Sequence, residues 1–123
     1  MRDRPTGDAL LACARNVLRQ EVLASVPSEH KHALLMAMNA MSIAERQLQY
    51  GEAPLQAEAD SLASVLDAPV AVAALLEANR TLARRLRTGA GDPGQPSREA
   101  LFAHLRAVAR QRVLESSPKT LKA

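Results

Sequence analysis

Apolar residues recur along this chain at three- and four-residue steps, in five blocks parted by proline and glycine. That spacing predicts five helices. The first runs from about Gly7 to Ser25, with Thr6 placed to cap it through its hydroxyl. Leu10, Leu11, Ala14, Val17, Leu18 and Val22 form its core-facing stripe. Pro27 suits the first position of a second helix, about Ser28 to Tyr50, where no amide bond is lost. Gly51 is a typical stop for it. The face Leu34, Ala37, Met38, Met41, Ala44 and Leu48 is expected to be core. Pro54 opens a short third helix with Leu55, Leu62, Val65 and Leu66. Pro69 opens a fourth with Val72, Leu75, Leu76, Leu82 and Leu86, closed by Gly89.

The run Gly89-Ala90-Gly91-Asp92-Pro93-Gly94-Gln95-Pro96 reads as a flexible loop over residues 89–96. Ser97 then caps a fifth helix carrying Leu101, Phe102, Leu105, Val108 and Val113, and Pro118 ends it within a tail over 116–123. No block alternates in steps of two, so no strand is expected. Short links favour antiparallel neighbours. The fold class expected is all-α: a small up-and-down helical bundle of four to five helices, one domain over residues 1–123.

Composition narrows the function. The 123 residues make one domain's worth of chain, and 47% hydrophobic with 24% charged residues is globular rather than disordered. One cysteine excludes a disulfide framework and a cysteine-based zinc site. One Phe, one Tyr and no Trp leave no aromatic platform for stacking bases, so nucleic acid is not an expected partner. No stretch approaches the roughly 18 apolar residues of a membrane helix. Met1-Arg2-Asp3-Arg4-Pro5 leads into the first helix without an apolar segment, and with a lone thiol a cytoplasmic location is expected.

Catalytic signatures are scarce. No glycine-rich loop precedes Lys-Ser or Lys-Thr, so no phosphate-cradling loop is present. His30 and His32 are two apart on a helix and point away from each other, which does not suit one metal ion. Cys13 has no histidine beside it in sequence. Neither catalytic residues nor a metal or cofactor are assigned, and the chain is read as a non-enzyme.

The second helix carries the most information. His32, Asn39 and Arg46 are spaced by seven and line up, with Met36, Ile43 and Tyr50 alongside them. A solvent-facing surface would carry Lys and Glu there. Two readings stay open: a central helix contacted on both sides, or an interface stripe for another chain or a ligand. If the stripe is self-complementary, a homodimer with Met36, Ile43 or Tyr50 at the contact is expected.

Charge is also uneven. Residues 1–77 hold 6 basic and 10 acidic groups, and residues 78–123 hold 10 basic and 3 acidic. Arg80, Arg84 and Arg87 share one flank of the fourth helix, and Arg106 and Arg110 lie together on the fifth. They form either a solvated surface or, if the helices pack side by side, a patch for phosphate or an acidic partner. Glu21 and Arg112 fall within apolar stripes, where each must pair or reach water near its helix end.

Four stretches carry a resemblance: Arg4-Pro5-Thr6 leading into Leu10-Leu11, the Glu21–Pro27 helix end, the His32–Leu48 segment, and Ser116-Ser117-Pro118-Lys119. The densest part is His32, Ala37, Asn39, Ala40, Ile43, Glu45, Arg46 and Leu48. Together they resemble a family of small uncharacterised bacterial helical proteins, a domain of unknown function. Such relatives are encoded beside aminoglycoside-phosphotransferase-like kinases and acyl-CoA dehydrogenases. The resemblance implies an accessory or subunit protein of a phosphotransferase-like kinase in hydroxyacyl-CoA catabolism, acting by protein–protein contact. The alternative is a small helical binder of an acyl-CoA or other anionic ligand.

Overall fold

A computed structural model describes residues 3–122. Met1, Arg2 and Ala123, which belong to the polar start and the tail of the sequence reading, lie outside the described residues. The fold is all-α: five α-helices and no strand among the described residues. They are α1 (Gly7–Val17), α2 (Ser28–Tyr50), α3 (Ala53–Leu66), α4 (Leu75–Arg87) and α5 (Arg98–Ser116). The chain divides into two compact units, one of Met1–Gly51 with Glu115–Ser117 and one of Glu52–Leu114 with Pro118–Ala123.

The first unit is an antiparallel hairpin. A Cβ placed on Gly7, at the start of α1, would stand 3.2 Å from Leu48 near the end of α2. Thr6 does not cap α1 as expected. Its hydroxyl donates to the Asp8 carboxylate and accepts from no first-turn amide. That bond holds the Asp8 carboxyl below its ordinary value.

Beyond Val17 the helix continues as one π turn, Leu18–Val22, in which the Leu23 amide reaches the Leu18 carbonyl at 2.8 Å. Nothing in the apolar spacing announces this extra residue, because a π turn changes register without changing composition. The Ser25 and Val26 amides then return to the Val22 carbonyl, and Pro27 stands just before α2 rather than inside it. Gly51, at φ 65, ends α2 in a conformation that a side chain would strain. Met38 is the buried side chain of the hairpin.

The second unit has a leucine core. Leu62 and Leu66 of α3, Leu82 of α4 and Leu101 of α5 form one buried cluster, with Val65, Val70, Leu75 and Leu105 packed on it. Asn79 reaches Glu58, and Arg85 reaches the Leu66 carbonyl, so partners advance together and α3 and α4 run in the same sense. The link between them is therefore a return crossing rather than a tight hairpin. Pro69 does not open α4: Asp67 takes a left-handed conformation at φ 54, and a residue before proline is driven out of helical geometry. A short 3₁₀ turn, Val72–Ala74, leads into α4 instead. Arg85 donates to an orphan carbonyl at the α3 end, where a cation also opposes the helix dipole.

Residues 89–96 form the loop that their glycines and prolines predict, built from consecutive turns. Gly89 and Gly94 have φ 99 and 88. Ser97, immediately before α5, donates its hydroxyl to the Ala90 carbonyl at 2.8 Å, while Arg98 donates to the Gly91 carbonyl and stacks over Phe102. After α5 a 3₁₀ turn, Pro118–Lys122, follows.

Candidate functional site

On α2 the structure turns His32, Met36, Asn39 and Tyr50 to solvent along one flank and half-buries Ile43 and Arg46. Met36 is 55% exposed and Tyr50 40%. The flank sits a quarter to nearly half a turn round the helix from Met38, the residue that faces the hairpin interior. His32 and Asn39 are thus not internal hydrogen-bonding groups of a helix contacted on both sides. Arg46 has a local task. Its Nη1 donates to the Glu115 carbonyl at 2.7 Å and reaches that of Ser116, groups left without intrahelical partners at the end of α5.

Arg80, Arg84 and Arg87 fall about 140–200° round α4 from buried Leu82, and Arg106 and Arg110 fall equally far round α5 from buried Leu101. Each set occupies the face of its helix turned from the core, and all five are exposed. Arg80 pairs with Glu77 at 2.5 Å, and Arg84 donates to the Thr81 hydroxyl at 3.0 Å. Glu21 is exposed at the π turn. Arg112 is also exposed, and its Nη2 stands 4.0 Å from Glu58. Both reach water, as charges in an apolar stripe must unless paired.

A polar cluster inside the second unit escaped the sequence reading. His104 of α5 is buried, and its Nδ1 shares a 2.7 Å hydrogen bond with the Ser61 hydroxyl of α3. Glu58, one turn before Leu62, accepts from Asn79 Nδ2 at 3.1 Å. The signal was present: His104 lies three residues after Leu101 and one before Leu105, inside the apolar stripe of α5. Burial pushes the His104 imidazole below its ordinary pKa, and the nearby Glu58 carboxylate opposes that shift. No group of three or more His, Cys, Asp or Glu among the described residues is placed to hold a metal ion. The bond to Ser61 satisfies a ring nitrogen of the buried His104, as a buried polar group requires.

His104 makes stability pH-dependent. Its folded pKa is lowered, so the unfolded chain binds this proton more readily. The contribution is therefore complete above the unfolded value near 6.5 and is lost as pH falls from there toward the folded value. Urea midpoints are expected to fall between pH 7.5 and 5.5, and to fall less in His104→Asn. An equal fall in both proteins would assign the dependence to other groups.

No described helix is long and apolar enough to cross a membrane. No curated protein and no solved structure matches the chain. A match to the family described as a domain of unknown function (DUF6285) does extend over residues 24–120, which take in α2 to α5 with the exposed flank and the His104 cluster, and the chain belongs to that family.

Proposed function

We propose that this chain is an accessory or subunit protein that acts by contact with a phosphotransferase-like kinase of bacterial hydroxyacyl-CoA catabolism, through the exposed flank of α2. The observation that carries the contact is the exposure of Met36 and Tyr50 beside His32 and Asn39. Large apolar side chains beside a few donors are what the centre of a protein interface contains, and tyrosine is prominent among residues that dominate binding. The kinase as partner rests on the resemblance carried by the four stretches named above, of which His32–Leu48 is the densest.

Co-expression with the adjacent phosphotransferase, followed by pull-down and a kinase assay, tests this reading. The two proteins are expected to co-purify, and Tyr50→Ala is expected to weaken the complex about tenfold or more, since truncating an interface anchor costs at least about 1–2 kcal/mol. Full kinase activity without this chain, together with no complex, would overturn it.

A further inference from the structure

We infer that the contact surface of α2 includes a second segment of the chain, Glu115–Ser117, and that Arg46 is the residue that positions it there. The inference rests on the kinase-contact reading above and adds a sequence-distant part to the same surface.

Glu115–Ser117 belongs to the first unit, with α1 and α2. Its local chemistry calls for a tether. Pro118 has no N–H to continue the helix, so α5 stops at Ser116 with its last carbonyls lacking intrahelical partners. Arg46 supplies donors: its Nη1 stands 2.7 Å from the Glu115 carbonyl oxygen and 3.5 Å from that of Ser116. A guanidinium there also opposes the negative end of the helix dipole, and its charge strengthens both bonds. These carbonyls engage Arg46, so within the row His32–Asn39–Arg46 it acts as a positioning residue rather than as a direct contact.

Burial along α2 marks where the segment is held. Every residue of Met41–Arg46 is half-buried, whichever way it points, whereas Asn39 before this stretch and Tyr50 after it are exposed. On one side of the stretch Glu45 binds Arg15 of α1. Arg46 is the next residue, about 100° further round the helix, and it holds Glu115–Ser117. Ile43, one turn before Arg46 on the same flank, is half-buried with it.

The spacing then sets the footprint of a partner. Met36 and Tyr50 stand about 21 Å apart along α2, with Ile43 midway between them. A partner that spans both apolar anchors passes the Arg46 end of the flank and meets Ser116 and Ser117, both exposed. Ordered surfaces associate with little backbone movement, so the segment stays in place as part of the contact.

Amide hydrogen exchange of the full chain, alone and with the phosphotransferase, tests this together with binding measurements. In the free chain Arg46→Met is expected to speed exchange over residues 113–117 about tenfold, while Arg46→Lys, which keeps a cationic donor, stays nearer the wild type. On complex formation the wild-type segment should gain protection. Arg46→Met should bind about tenfold more weakly, with Arg46→Lys in between. Unchanged exchange in free Arg46→Met would overturn the tether. A wild-type complex in which residues 115–117 gain no protection, or which a folded Arg46→Met forms equally well, would overturn the contact and leave the kinase reading standing. No complex with the wild type would overturn that reading and this contact with it. The protection measured in the wild type decides the contact even where Arg46→Met loses helicity.

Discussion

Leu62→Ala is expected to lower the unfolding free energy of the chain by about 3–4 kcal/mol, in the upper part of the range for leucine truncation in a packed core. Leu62 is fully buried, and its cluster partners Leu66, Leu82 and Leu101 come from three helices. Neighbours held on separate helices cannot all move into the space left by the missing methyl groups, so a cavity cost adds to the lost transfer energy. With a denaturant slope of about 1–2 kcal/mol/M in urea for a chain of this size, the midpoint should drop by roughly 2 M. Leu76→Ala is the control. Leu76 is 65% exposed on α4, and its loss should shift stability by about 0.5 kcal/mol or less. Similar shifts for the two would remove the leucine cluster as the core of the second unit.

Glu45→Ala is expected to destabilise by about 2–3 kcal/mol. Its carboxylate accepts from Arg15 Nη2 at 2.9 Å, and both side chains are largely withdrawn from water. Arg15 Nε is buried without a hydrogen-bond partner, so the guanidinium depends on this carboxylate for compensation. Breaking a fully buried pair costs about 3–5 kcal/mol; the remaining exposure of this one screens it and reduces the figure. The double variant Arg15→Met with Glu45→Leu should recover most of the loss, because two apolar groups leave no charge to compensate. A change of only a few tenths of a kcal/mol in Glu45→Ala would make the pair an ordinary surface contact.

Several elements of this fold were legible from local chemistry. Ser28 after Pro27 and Gly51 after Tyr50 bracket α2 at the bounds it takes, because helix starts and stops depend on residues within one turn of the end. The row on α2 was legible as residues spaced by seven, but its exposure was not: the same spacing left open a helix contacted on both sides, and the structure turns His32 and Asn39 to solvent. Other features depended on competition between neighbours. Asp67 takes the left-handed position that moves the start of α4 past Pro69, and the Asp8 carboxylate draws the Thr6 hydroxyl from its capping role. The π turn after Val17 leaves no mark in the periodicity.

The positions of apolar stripes, and with them the all-α class, followed from residue order because helical period and capping are short-range properties. What covers each stripe did not. Leu10, Val17 and Leu48 obey the same period as Leu62, Leu82 and Leu101, yet the first three meet solvent and the last three meet one another. His104 shows the converse, a polar residue in an apolar row that is buried because Ser61 on another helix supplies its hydrogen bond. Periodicity assigns a side chain to a face of its own helix. Burial depends on groups distant in sequence, whose approach is set by how the helices pack.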